Sequence, residues 1–374
     1  MAKARTCLGW LGFLFILTLP ARALTAGPAG LGEIKLPPGF HITVFASQLG
    51  SPRFMAFSPA GVLFVSVPSD GTIVALPDTD RDGKADRAIV FARGLNRPHG
   101  LAFFQGALYV AETNRAVRLT DSQGNLHADR KEVIVPDLPA GGGHWTRTIG
   151  FGPDGKMYLS AGSSCNVCEE KDPRRAAILR FNPDGSGPEI YARGLRNSVG
   201  FVWHPDTGEI WATDNGRDWL GDDLPPEEIN IVRAGSNYGW PYCYGNQIVD
   251  KEFNRRDFCA TTVPPVLEIP AHSAPLGLAF YTGTQFPREY RGNIFVALHG
   301  SWNRSVPTGY KLIRIRLDGD KPGRIEDFAT GWLVGESAWG RPVQPIVGPD
   351  GSLYLSDDRT GTIYRIYYAG PTTR

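Results

Sequence analysis

One phrase recurs along this chain and restricts the possible folds more than any other feature. A small or apolar lead-in is followed by an apolar strand, a tight turn and a second run of β-formers. It first reads Phe54-Met55-Ala56-Phe57-Ser58-Pro59-Ala60-Gly61-Val62-Leu63-Phe64-Val65-Ser66. It returns at 99–103 with 107–111, at 149–160, at 199–206 with 209–213, at 276–280 with 293–297, and at 344–356. Where the turn is Pro-Asp-Gly, as at 153–155 and 349–351, Pro presets φ and Gly supplies positive φ. The flanking runs are short and rich in Val, Ile, Leu, Tyr and Phe, which suits pleated strands. Self-similar antiparallel units spaced roughly 40–50 residues apart are the signature of a β-propeller. The expected fold is therefore all-β, a six-bladed β-propeller of four-stranded antiparallel blades. The alternating segment Phe40-His41-Ile42-Thr43-Val44-Phe45 is expected to pair with the C-terminal blade and close the ring. A β-sandwich is the competing architecture, and six self-similar units argue against it.

The propeller is assigned to residues 35–370, after a linker at 24–34 and before a short tail at 371–374. Residues 1–23 read as an export signal. Lys3 and Arg5 precede an apolar run from Leu8 to Leu19, too short to span a bilayer comfortably, and Ala21-Arg22-Ala23 is a small-x-small cleavage site. The mature protein is expected to be secreted or periplasmic, without stable membrane insertion. A formal net charge of +1 gives no support to nucleic-acid binding, which needs a basic excess. Cys7 leaves with the signal, and Cys165, Cys168, Cys243 and Cys259 remain. An even number in an exported chain favours disulfides. The simplest pairing is Cys165–Cys168 and Cys243–Cys259. The Cys-x-x-Cys could also be redox-active or bind metal. Glu169 stands where a haem-attachment motif needs His.

A propeller binds ligands at one end of its channel, on loops from several blades, so functional residues should lie far apart in sequence. The run Gly141-Gly142-Gly143-His144-Trp145-Thr146-Arg147 combines backbone freedom with a histidine able to move a proton near neutral pH. Arg147 could reach the same rim. Arg196 and Asn197, at the lead-in of the fourth phrase, offer a cationic fork and an amide. Arg304 and Arg341 are placed similarly at blade ends, and three arginines could converge on a polyanion. Asp214, Asp218, Asp222, Asp223, Glu227 and Glu228 form the densest group of acidic oxygens, the donor type that suits Ca²⁺. Asp78-Thr79-Asp80-Arg81-Asp82-Gly83-Lys84-Ala85-Asp86 resembles half a calcium loop. Ile89 stands where such a loop would end in Glu, so a polar turn is the alternative.

Taken together, these residues resemble the soluble quinoprotein sugar dehydrogenases, in the branch that includes sorbosone and aldose sugar dehydrogenases. The resemblance rests on His144 before Gly152-Pro153-Asp154-Gly155-Lys156-Met157-Tyr158, on Gly194-Leu195-Arg196-Asn197, on Glu228-Ile229-Asn230, and on Asn237-Tyr238-Gly239-Trp240-Pro241. It implies an exported enzyme that oxidises an aldose or related sugar by hydride transfer to pyrroloquinoline quinone (PQQ), with Ca²⁺. His144 would be the general base. Arg196, Asn197, Arg304 and Arg341 would bind the cofactor. The backbone carbonyls of Gly216 and Arg217 would hold calcium, supported by Glu228 and Tyr238. An external quinone or cytochrome would accept the electrons. The chain departs from the family pattern at Arg217, where Pro is frequent, at Arg304, which replaces a Lys, and at Ala338-Trp339-Gly340, which lacks a second arginine. A calcium-dependent lactonase or hydrolase and a non-catalytic binding propeller are the alternatives.

Overall fold

The computed structural model describes residues 27–319 and 321–370, so the export signal lies outside the described residues. Six four-stranded antiparallel sheets form the blades of a β-propeller. Each begins with a short inner strand: Met55–Phe57, Leu101–Phe104, Ile149–Phe151, Phe201–Trp203, Pro275–Phe280 and Pro342–Val347 for blades 1 to 6. In blades 1 to 5 the remaining strands follow in chain order outwards. Blade 6 takes its outer strand, Phe40–Ala46, from the N-terminal part of the chain, where Phe40 pairs with Tyr368 and Val44 with Tyr364. Thus the expected ring closure is present. The only α-helix among the described residues is one turn, Arg256–Cys259. None of their helices is long and apolar enough to cross a membrane.

The repeated phrase explains how neighbouring blades lock. The fourth residue of the second strand is a buried hydroxyl in several blades, and it bonds into the next blade. Ser66 donates to the His99 carbonyl at 2.7 Å, Thr213 to Leu276 at 2.8 Å and Ser356 to Arg53 at 2.6 Å. A buried hydroxyl is tolerated only when satisfied, and these bonds satisfy it across the blade boundary. The lead-in glycines serve the same approach. A Cβ on Gly200 would stand 2.2 Å from the Leu276 carbonyl oxygen, so a side chain there would force blades 4 and 5 apart. Phe54, Val199, Leu276 and Val343, in or just before inner strands, form a buried apolar plug of their own. Val199 and Leu276 also line the cavity described below.

Both expected disulfides are present, Cys165–Cys168 and Cys243–Cys259. The 78–86 loop is organised by its own backbone. Asp78 accepts from the N–H groups of Asp82 and Gly83, and Asp86 accepts from Thr79. Blade 2 repeats this plan with fewer acids: Asp121 accepts from Asn125 and Leu126, and Asp129 from Ser122. Both loops are thus braced by hydrogen bonds from their own backbone. Asp78, Asp80 and Asp86 still place carboxylate oxygens close together.

Candidate active site

A cavity of about 370 Å³ opens above the apolar plug and is lined from blades 1, 3, 4, 5 and 6. His144, Arg196, Asn197, Gly216 and Arg341 all face it. These residues are far apart in sequence and were each singled out from it.

His144 is set by the tight loop closed by Cys165–Cys168. Its Nδ1 lies 3.0 Å from the Ser163 carbonyl and 2.8 Å from Ser163 Oγ. A carbonyl only accepts, and Ser163 Oγ already donates to Cys165 O at 2.7 Å. The proton therefore sits on Nδ1, and Nε2 carries the lone pair. Burial, then the charge of Arg196, pushes the imidazole pKa down to about 3 against the Ser163 carbonyl bond. His144 is neutral at physiological pH.

The glycine loop is firmer than its composition suggests. Arg147 turns inward rather than to the rim, donating to the carbonyls of His144 at 3.0 Å and Thr146 at 2.7 Å. Arg175 donates to Ala140 and Gly141. Gly142 packs on the disulfide loop, where a Cβ would stand 2.3 Å from Ser164 O. Gly143, by contrast, faces open space. Trp145 forms a flat wall of the cavity, with the Arg97 guanidinium 4.0 Å from its ring centre.

The arginines divide by what their nitrogens already hold. On Arg196 every nitrogen has a partner: Nε and Nη2 donate to Asn166 O and Oδ1, both at 2.9 Å, Nη1 to Asn215 O at 3.0 Å, and Nη2 also lies 3.5 Å from Asp218 Oδ2. Asn166 belongs to the same disulfide loop that holds His144. Arg341 uses Nε and Nη2 on the carbonyls of His299 and Gly300 and leaves Nη1 without a partner. Arg53, which the sequence reading did not select, also lines the cavity. Its Nη1 binds Asp358 at 2.6 Å, and its Nε is buried without a partner. The signal for Arg53 was in the repeat, because Arg53, Arg97, Arg147, Arg196 and Arg341 all precede inner strands. Arg304 does not line the cavity; it donates to Asp222 O at 2.6 Å and pairs with Asp223.

The acidic residues separate by strand alternation. Glu227 faces the main cavity, accepting from Gly216 N at 2.8 Å and Ala274 N at 3.1 Å. Burial pushes its pKa up to about 7 despite those bonds. Glu228, on the opposite face, lines a small cavity of about 20 Å³ with Arg217, Tyr238, Asp214 and Asp250. Glu228 and Asp214 are cross-strand partners, and burial raises the pKa of both. Tyr238 Oη donates to Ile231 O at 2.7 Å and accepts from Arg233 N at 2.9 Å, so its hydroxyl is engaged by backbone. Arg217 is held by Asp250 at 2.7 Å and by Glu252. Among the described residues no donor reaches the carbonyl oxygens of Gly216 or Arg217.

On the far side of the cavity His299 Nε2 meets Asp358 at 2.9 Å. Burial pushes His299 down to about 4 although Asp358 opposes the shift. Burial raises Asp358, but the His299 hydrogen bond and the Arg53 charge outweigh it and hold the carboxyl well below its usual range.

The family comparison places this propeller among the soluble PQQ-dependent sugar dehydrogenases. The chain is a member of the TrAA12-like family, whose profile matches residues 34–369. An uncharacterized protein of Borreliella burgdorferi is 33% identical over 369 residues, 94% of each chain. The pyrroloquinoline quinone-dependent pyranose dehydrogenase of Coprinopsis cinerea is 32% identical over 127 residues, which is 29% of this chain and 17% of that protein. The solved structure of the Trichoderma reesei family AA12 carbohydrate-active enzyme superposes with a TM-score of 0.79 at 22% identity, covering 90% of this chain and 97% of that one.

Proposed function

We propose that this chain is an exported PQQ- and calcium-dependent dehydrogenase that oxidises an aldose or related sugar, with His144 as general base. The observation that carries the reading is a neutral His144 facing a cavity that also presents unspent arginine donors. Family membership and the pyranose dehydrogenase relative support the cofactor and substrate class.

The residues fit an anionic planar cofactor. Arg341 Nη1 and the unpartnered Nε of Arg53 suit carboxylates, and the Asn197 side-chain amide has no protein partner in the described structure. When bound, the cofactor would accept the hydride from sugar C1. The free carbonyls of Gly216 and Arg217 are hard oxygen donors suited to Ca²⁺, which would act as a Lewis acid on a cofactor oxygen. Glu227, hydrogen-bonded to Gly216 N, orients that segment.

His144 Nε2 accepts the proton of the sugar C1 hydroxyl, while Nδ1 stays bonded to Ser163. The low pKa reflects burial and Arg196. Negative charge held against the arginines would raise it and strengthen the base. Trp145, Val199 and Leu276 exclude water from the inner wall, and an external quinone or cytochrome would take the electrons onward. The test is direct. The purified protein is loaded with PQQ and Ca²⁺, and reduction of an artificial acceptor is followed across an aldose panel. Dye reduction by at least one aldose, dependent on both additions, is expected; no cofactor binding and no reduction would overturn the reading.

A further inference from the structure

Two tryptophans stand exposed beside the cavity and play no part in the chemistry above. Trp302 lines the cavity mouth yet is 65% exposed, and Trp219 is 69% exposed. Their rings meet edge to face, 5.1 Å apart at 87°. We propose that they form an outer sugar-binding subsite, which takes the second ring of an oligosaccharide whose reducing-end ring occupies the cavity. This rests on the sugar dehydrogenase reading.

The indoles are held in place. Asn303 Nδ2 donates to Asp218 Oδ1 at 3.0 Å, Arg304 to Asp222 O, and Ser305 N to Asp222 Oδ1 at 3.0 Å. These bonds tie the loop of Trp302 to the loop of Trp219. Trp219 itself has φ +72°, a conformation disfavoured for a bulky L-residue. The fold thus accepts backbone strain to keep a large apolar ring in water. Strain kept at a site rim is an indication of use.

The neighbouring groups select the ligand. An indole offers a flat apolar face that suits the C–H face of a pyranose. In the same two loops stand carboxylates that can accept from hydroxyls: Asp218, Asp222 and Asp223 each use Oδ1 on the Trp302 loop and have a second carboxylate oxygen. Charged residues are depleted at the core of protein interfaces, so this mixture favours a hydroxyl-rich ligand over a protein partner. At about 370 Å³, the cavity lies near the small end of ligand pockets, roughly 300–1,000 Å³. A second ring linked to one held inside must therefore emerge, and Trp302 stands at the exit.

The experiment compares Trp219→Ala and Trp219→Phe with the parent protein on glucose, maltose, cellobiose and their trisaccharides. For Trp219→Ala, kcat/KM on an accepted disaccharide should fall about tenfold while the monosaccharide value changes less than about twofold. Trp219→Phe should recover part of the loss. A second arm omits PQQ: saturation-transfer NMR should detect maltotriose or cellotriose on the parent protein and lose that signal in Trp219→Ala. Equal changes on mono- and disaccharide, or none, together with no trisaccharide contact, overturn the subsite. A protein that oxidises no sugar but binds trisaccharide through Trp219 would keep the subsite and overturn the dehydrogenase reading instead.

Discussion

The two sides of the cavity each present a half-buried neutral histidine, and they are built in opposite ways. On the blade 3–4 side His144 is fixed through Nδ1 by neutral groups of Ser163, with arginines around it. On the blade 5–6 side His299 is fixed through Nε2 by Asp358, which also holds Arg53. Burial, helped by the Arg196 charge, keeps a base neutral on the first side with Nε2 free. On the second side Nε2 is already spent on a carboxylate, and the histidine's work is to orient that carboxylate and Arg53. One histidine is placed to exchange a proton, the other to position charge.

The sharpest way to break this comparison is to exchange the roles. His144→Gln should lower kcat by about 10²–10⁴, the usual worth of a positioned base, while PQQ affinity, read by fluorescence titration, stays nearly constant. His299→Gln keeps a donor toward Asp358 and should cost far less. A larger loss in His299→Gln would reverse the assignment.

The arginines give a second contrast. Arg341 has a nitrogen without a partner, whereas every nitrogen of Arg196 is engaged by Asn166 or Asn215. Arg341→Ala should weaken PQQ binding by about 10–100-fold, the worth of a charge-assisted hydrogen bond, and should lower the melting temperature less than Arg196→Ala, because it strands two acceptors rather than three. Arg196→Ala should lower the melting temperature of the cofactor-free protein as well, because it leaves the Asn166 and Asn215 acceptors unpaired. Equal melting shifts in both variants would contradict the division.

How legible all this was in the sequence depends on what each feature rests on. The blades were readable because period and turn chemistry are local, and ring closure followed from one alternating strand at 40–45. His144, Arg196, Asn197 and Arg341 were found as residues at blade ends. Arg304 and Arg53 show the limit: both are loop arginines, and only the fold reveals that acidic Asp222 and Asp223 draw the first away while the repeat aims the second inward. Glu227 was passed over for Glu228, since a one-residue difference in strand phase decides which cavity a carboxylate faces. The disulfide loop was read as a staple, but its backing of both His144 and Arg196 through Ser163 and Asn166 is a tertiary fact. Replacing Cys165 and Cys168 together by Ser tests it. On the blade 3–4 side PQQ affinity should fall severalfold, up to about tenfold, and breaking Cys243–Cys259 should leave affinity less affected.

The smallest expected effect separates the two histidines by pH. An unfolded histidine takes its proton near pH 6.5, whereas folded His299 does so only near about 4. Between those values the unfolded chain binds more protons, so stability falls as pH drops from 6.5 and the contribution is fully present above it. Each such group adds at most about 1.4 kcal/mol per pH unit to that slope. Urea unfolding of the cofactor-free protein at pH 6.5, 5.5, 4.5 and 3.5 reads it. His299→Gln should flatten the slope by about 1 kcal/mol per unit down to pH 4.5. His144→Gln should flatten it by a similar amount and continue to do so below pH 4, because folded His144 titrates near about 3. If His299→Gln leaves the slope unchanged, Asp358 is holding a charged imidazolium in the native state, and the blade 5–6 side carries an ion pair rather than an oriented neutral ring.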